Sequence, residues 1–518
     1  MLETTAQGRP SAAGPRSVLI IGAGFGGIAA AIELTRSGFR EVRILEKARD
    51  LGGTWYYNDY PGAACDVPSH LYSFSFAQRR DWSRLCSPRA EIHHYLHDVA
   101  REHGIEPLIE YERTVTSCSW DEASLRWEVQ TEDGGHYQAD AIVLATGQLH
   151  RPSYPALDGL ERFTGHSFHS SRWDHRYPLA GRRVAVVGTG ASAVQFIPEI
   201  APKVQQLTVF QRTGNWFLPR RNRRYPAIVK SAVERMPGVQ DLRRRFVFNY
   251  GETLTAAIRH PRTIGPIVAA RSALFMRYQL RDPVLRSRVW PNYTFGCKRV
   301  LFSSHYLPAL ERSNVDLVTE RIAHIEERGL RSADGALHEA DCIIWGTGFK
   351  TMDFMSPMEI TARGRTLGEA WADGPRAHLG ICVSGFPNMF LMYGPNTNTS
   401  GGSIIFYEEV QAAYIRQALE RLRERGAAAI TVRPEVQDAS DRAVQARFRG
   451  TAWTQCDSWY RDEHGRIVAN WPGYMREYRD QTGELDVNEY EFTTAAPMPA
   501  GESPVGARRS GAPQLADA

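Results

Sequence analysis

The chain has few cysteines, no long apolar run and little net charge, and each shortage removes a class of protein. Its seven cysteines (Cys65, Cys86, Cys118, Cys297, Cys342, Cys382 and Cys456) are scattered and never spaced as C-x-x-C. Such spacing suits neither a disulfide framework nor a zinc site, and predicts reduced thiols in a cytoplasmic protein with no bound metal. No apolar stretch approaches the roughly 20 residues needed to cross a bilayer, so no integral membrane segment is expected. Residues Met1–Pro15 lack the apolar core of a secretory signal and read as a disordered leader. The formal net charge is +4, from 62 Lys and Arg against 58 Asp and Glu. That excess is too small for a dedicated nucleic-acid binder. Nothing in the composition speaks to oligomeric state.

What is present is glycine in ordered places. Ser17–Ile21 reads as a buried strand running into Gly22-Ala23-Gly24-Phe25-Gly26-Gly27, a G-x-G-x-x-G turn that opens an Ala-rich helix. A second strand ends at Glu46, 24 residues beyond Gly22. In this setting Gly22 permits the tight turn, Gly24 lets backbone approach a pyrophosphate, and Gly27 lets helix pack on strand. The helix N-terminus adds free N–H groups and positive potential. Arg183–Val187 leads into Gly188-Thr189-Gly190-Ala191-Ser192-Ala193, a G-x-G-x-x-A variant. The strand after it ends in Gln211-Arg212-Thr213, with Arg212 also 24 residues beyond its first glycine. An acid at that place suits a free ribose 2′-OH, whereas a guanidinium suits a 2′-phosphate. The first unit is therefore expected to bind FAD and the second NADPH.

Around these units the pattern changes. Residues 108–147 alternate as β-hairpins do and end in Ala145-Thr146-Gly147, and Pro152 and Pro155 mark a linker. From about residue 215 to 293, charges and apolar residues mix at helical spacing. Arginine pairs and triples there (Arg220-Arg221, Arg223-Arg224, Arg243-Arg244-Arg245) read first as a solvated face. Ile404–Leu422 reads as an amphipathic helix, and residues 493–518, rich in Ala, Pro, Gly and Ser, as a disordered tail.

Five further stretches carry a resemblance. Phe163–Asp174 reads F-x-G-x-x-x-H-x-x-x-W-D, with Phe163, Gly165, His169, Trp173 and Asp174 at the fixed positions. Gly52-Gly53-Thr54-Trp55 is followed by Tyr60-Pro61-Gly62 and Cys65-Asp66. Gly296–Arg299 reads G-x-K-R, Gly346-Thr347-Gly348-Phe349 stands where relatives read A-T-G-F, and Cys456–Tyr460 has the look of a lid segment. Taken along the chain they fall in the family's order, and over roughly residues 16–492 they resemble type I Baeyer–Villiger monooxygenases, flavoproteins similar to flavin-containing monooxygenases.

The resemblance implies an α/β fold of two dinucleotide-binding, Rossmann-like domains with a helical insertion in the NADP domain. FAD binding would fall to residues 16–150 and 386–492, the latter with a lid. NADP binding would fall to 151–214 and 298–385, around an insertion at 215–297. Gly53, Thr54 and Trp55 would border the flavin, and Asp66 would orient Arg299. Lys298, with Arg212 and Thr213, would hold the 2′-phosphate, and Trp459 would meet the nicotinamide nucleotide. His169 would couple NADP placement to flavin oxidation. Family chemistry runs through a C4a-peroxyflavin that inserts one oxygen atom of O2 beside a ketone carbonyl, giving an ester or lactone. Two alternatives stay open at this point: sulfur or nitrogen oxygenation, and a nucleotide-binding redox sensor without turnover. A disulfide reductase would need a cysteine pair near the first unit, where only Cys65 stands. No motif names the ketone.

Overall fold

The computed structural model describes residues 15–494 apart from 221, 237, 352 and 400. The leader expected at 1–15 and the tail at 493–518 lie almost wholly outside the described residues. Two parallel five-stranded sheets organise the rest. In the first, Ser17–Ile21 lies between Glu41–Leu45 and Ala141–Leu144, with Ile109–Glu110 and Met389–Leu391 at the edges. In the second, Arg183–Val187 lies between Gln206–Phe210 and Cys342–Trp345, flanked by Val315–Val318 and His166–His169. Runs such as Ala141–Leu144 and Cys342–Trp345 are buried at every residue. Parallel strands covered on both faces need that continuous apolarity.

Each sheet is completed by strands from distant parts of the chain. Met389–Leu391 returns to pair with Ala141–Leu144, and the helix Ile404–Arg425 that follows shares a core with Phe25–Arg36 through Ile28, Ala31, Ile405 and Ile415. A third sheet carries the expected hairpins, Val115–Asp121 with Arg126–Thr131 and then His136–Ala139.

The helical insertion has a closed base. Phe217–Leu218 pairs in parallel with Leu301–Phe302. Between these strands run the helices Ala227–Arg235, Val239–Arg259, Gly265–Gln279 and Pro283–Val289. Among the described residues, no helix is long and apolar enough to cross a membrane.

One expectation is corrected. Cys297 and Cys456 form a disulfide with Cα atoms 6.1 Å apart, while Cys65, Cys86, Cys118, Cys342 and Cys382 are free and buried. The two partners are 159 residues apart. A bridge needs Cα atoms within roughly 4.4–6.8 Å, a proximity that only the fold creates. This bond ties the Lys298–Arg299 loop to the segment carrying Trp459 and Tyr460.

Candidate functional site

Both glycine turns open on one cavity of about 2220 Å³. Ordinary small-molecule pockets run to roughly 300–1,000 Å³, so this one has room for two dinucleotides and a substrate. At the first turn Gly22 has φ of 107°, and a Cβ there would sit 2.5 Å from the Ala145 carbonyl oxygen. On Gly27 it would sit 1.9 Å from the Gly22 oxygen. Neither position accepts any side chain. A Cβ on Gly53 would meet the Gly24 Cα at 3.2 Å. The two loops therefore present bare backbone to whatever lies between them, as a pyrophosphate cradle requires. The Ala23 N–H donates to Glu46 Oε2 at 2.7 Å and the Ala48 N–H to Oε1 at 2.9 Å. Glu46 thus braces the turn, lines the cavity and keeps lone pairs to spare. Thr54 faces the cavity, and Trp55 is buried beside it with its Nε1–H donating to the Tyr72 hydroxyl at 3.0 Å.

The second turn repeats the design. Gly188 has φ of 104°, and a Cβ there would sit 2.4 Å from the Gly346 carbonyl oxygen; the turn forms with Gly346 in place of Ala. Gly190 has open space where a Cβ would be. Ala193 begins the helix Ala193–Ile200, so the turn leads straight into a helix N-terminus. Arg212, Thr213 and Lys298 line the same cavity. Burial lowers the Lys298 pKa, and the nearby Arg212 guanidinium lowers it further. Two cations held this close are relieved by an anion between them. Trp459 is 40% exposed and also lines the cavity.

Between the two cradles sits Asp66. It accepts from Arg299 Nη2 at 3.2 Å and from Gln195 Nε2 at 3.0 Å, with Arg220 Nη1 at 4.0 Å. The Asp66 side chain is 9% exposed, whereas that of Arg299 is 45% exposed because it faces the cavity. Burial is the largest influence on Arg299 and would lower its pKa, but the Asp66 carboxylate together with the smaller pulls of Tyr460, Tyr393 and Cys65 outweighs it, and the pKa is raised. Arg299 is thus a fixed cation at every accessible pH.

Gln195 and Arg220 were not anticipated. Gln195 lies on the helix after the second glycine turn, yet grips the loop of the first unit. Its Oε1 accepts from the Tyr60 hydroxyl at 3.1 Å and the Ala64 N–H at 3.2 Å, and its Nε2 donates to the Ala64 oxygen at 2.9 Å. A signal was available: Gln195 is the lone polar residue in the buried run Ala193-Val194-Gln195-Phe196-Ile197, and a buried amide must find partners. Arg220 belongs to an arginine pair read as solvated. Instead it points inward, and its Nη2 donates to the Cys65 oxygen at 2.7 Å.

His169 does not line the cavity; it stands behind its wall, fully buried. Its Nδ1 accepts from the Ser171 N–H at 3.2 Å, so Nε2 carries the proton and donates to the Gly348 oxygen at 3.0 Å. Burial lowers its pKa to about 4, against the smaller opposing pull of that carbonyl. It is a neutral strut that holds the Gly346–Phe349 turn. Trp173 packs on Phe168 and Phe196, and Asp174 pairs with His166 at 3.1 Å. The F-x-G-x-x-x-H-x-x-x-W-D stretch therefore fastens the second sheet's edge to the cavity wall.

Comparison with known proteins gives the following. A profile described as pyridine nucleotide-disulphide oxidoreductase matches residues 19–236. Over 491 residues the chain is 42% identical to a Baeyer-Villiger monooxygenase of Streptomyces coelicolor, covering 93% of this chain and 94% of that one. Cyclohexanone monooxygenase from a Rhodococcus species, solved bound to NADP+, matches with a TM-score of 0.83 at 28% identity, covering 92% of this chain and 99% of that one. The enzyme OTEMO, solved with FAD and NADP, matches with a TM-score of 0.83 at 26% identity over 92% of this chain and 99% of that one.

Proposed function

The chain belongs to the Baeyer–Villiger monooxygenase family, and from that premise we propose how its residues divide the reaction. It is an FAD- and NADPH-dependent monooxygenase that inserts one oxygen atom of O2 beside a ketone carbonyl, giving an ester or lactone. Bound FAD, reduced by NADPH, supplies the activation of O2 that no side chain can provide. We assign residues 16–150 and 386–492 to FAD and 151–214 and 298–385 to NADP, with 215–297 inserted between.

The Gly22–Gly27 turn, Gly53 and Glu46 hold FAD by its pyrophosphate and ribose. The Gly188–Ala193 turn holds the second pyrophosphate, while Arg212, Thr213 and Lys298 hold the 2′-phosphate that distinguishes NADPH. Trp459 covers the nicotinamide nucleotide. Arg299 faces the reacting centre and stabilises negative charge as it develops there, in a site where a preorganised cation is worth far more than in water. Asp66 fixes the guanidinium plane, and Gln195 fixes Asp66. The single observation that carries this reading is the Asp66–Arg299 pair facing the cavity between the two cradles. A permanent cation there favours an anionic nucleophile, hence attack on carbonyl carbon over oxygenation of sulfur or nitrogen. We place the enzyme in the cytosol, where NADPH is regenerated; the Cys297–Cys456 bond then meets cellular thiol reductants.

The test is turnover with NADPH and O2 on linear, cyclic and aromatic ketones, with mass spectrometry locating the added oxygen. Esters or lactones are expected. Oxygenation confined to thioether and amine probes would refute the carbonyl assignment.

A further inference from the structure

The helical insertion has an unusual surface. Between residues 220 and 290 the sequence holds sixteen Lys and Arg against four Asp and Glu, although the whole chain is only +4. The remainder is therefore net acidic, and positive charge is concentrated on one part of the molecule, most of it outward-facing although Arg220 and Arg244 turn inward. The same segment concentrates exposed apolar side chains. Of thirteen large ones left exposed among the described residues, eight fall between Ile228 and Val284. Single exposed apolar residues need no explanation, but a concentration of them marks an interaction surface.

Two stripes are well defined. On Gly265–Gln279 the residues Ile267, Arg271, Leu274, Arg277 and Tyr278 are all exposed, at spacings of three or four that keep them on one helix face. On Val239–Arg259 the exposed stripe holds Leu242, Arg245 and Phe246. Within each stripe guanidinium groups flank the apolar side chains, so one surface offers exposed apolar area and cations side by side. The stripes also converge: Leu242, Phe246 and Arg271 border the cofactor cavity.

We propose that this face of the insertion rests on an anionic phospholipid surface, its apolar side chains entering the acyl boundary and its arginines meeting lipid phosphates, with the cavity mouth opening toward the bilayer. An apolar ketone dissolved in the lipid would then enter without crossing water; this last step alone rests on the function proposed above. A nucleic acid would match the charge but leave Ile267, Leu274 and Phe246 without a role. A second copy of this chain would place like charges against each other.

The test is flotation of the FAD-loaded, full-length protein with phosphatidylcholine vesicles, with and without phosphatidylglycerol. Binding is expected only to the mixed vesicles and should weaken as salt rises. Arg277 and Arg281 are exposed and lie outside the cavity lining. Replacing both by Gln removes two charges worth about a factor of five each near an anionic surface, so binding should fall roughly twenty-five-fold. Leu274→Gln with Tyr278→Gln should weaken binding while leaving its salt dependence in place. FAD retention in both double variants reports that the fold is intact. Absence of flotation, equal binding to neutral vesicles, binding unchanged in both double variants, or tighter binding to duplex DNA would each overturn the proposal. So would a dimer in sedimentation velocity that the same substitutions abolish. None of these readouts requires turnover, so the surface and the ketone reaction fail separately.

Discussion

Replacing Arg299 by alanine should divide the reaction in two. Asp66 would lose its 3.2 Å partner but keep the Gln195 amide at 3.0 Å and Arg220 nearby, so the loop that borders FAD should hold. Arg212 and Lys298 are untouched, and NADPH should still bind and be oxidised. The loss should fall on oxygen transfer. Removing a single preorganised oxyanion donor costs about 2.7–4 kcal/mol, or roughly 10²–10³ in rate, and a full charge fixed in the same way is not worth less. NADPH consumption should therefore continue near the wild-type rate while ester formation falls at least about a hundredfold, the electrons leaving as hydrogen peroxide. Arg299→Lys should recover little, because an ammonium lacks the planar fork that Asp66 holds. Three quantities from one reaction decide the matter: NADPH by absorbance, peroxide by a peroxidase-coupled dye, and ester by gas chromatography. Ester at the wild-type rate would refute the assignment. A parallel collapse of NADPH oxidation would mean that Arg299 positions the nicotinamide instead.

Other expectations follow from the same geometry. Arg212→Ala should raise KM for NADPH roughly tenfold to a hundredfold, the worth of one charge-assisted hydrogen bond, and leave KM for NADH nearly unchanged; steady-state kinetics with both cofactors checks this. Gln195→Leu keeps the volume but strands the Tyr60 hydroxyl, the Ala64 N–H and one Asp66 oxygen, so urea unfolding should show a loss of at least about 2 kcal/mol. His169 is held neutral with a pKa of about 4, below the ~6.5 of the unfolded chain. The folded state then binds fewer protons, and this contribution to stability is complete above about pH 6.5 and declines toward pH 4, by up to about 3 kcal/mol. His169→Gln should flatten that part of the urea-midpoint-against-pH curve relative to wild type. Reducing Cys297–Cys456, or replacing both by serine, opens a closure spanning 159 residues; on the chain-entropy view the melting temperature should drop by the equivalent of about 5 kcal/mol.

Much of the fold and half of the site are local matters, and the sequence by itself determined them. Gly22, Gly27 and Gly188 sit where any side chain would strike backbone, so the turns could be recognised from glycine spacing between apolar strands. The proposal that Glu46 meets a ribose and Arg212 a phosphate was open to sequence reasoning because each ends a strand at the same distance from its turn, where charge alone sets the difference. Tertiary structure decided what lies between the units. Gln195 reaches Ala64 across 131 residues, Arg220 turns inward to Cys65, and Cys297 finds Cys456. His169 proves to be a strut behind the cavity wall, and the arginine-rich helices bring exposed apolar and cationic side chains to the cavity rim. Periodicity and steric exclusion act over a few residues and are written in order along the chain. A hydrogen bond or a disulfide between distant segments depends on where two sheets and an insertion come to rest, which no short window of sequence encodes.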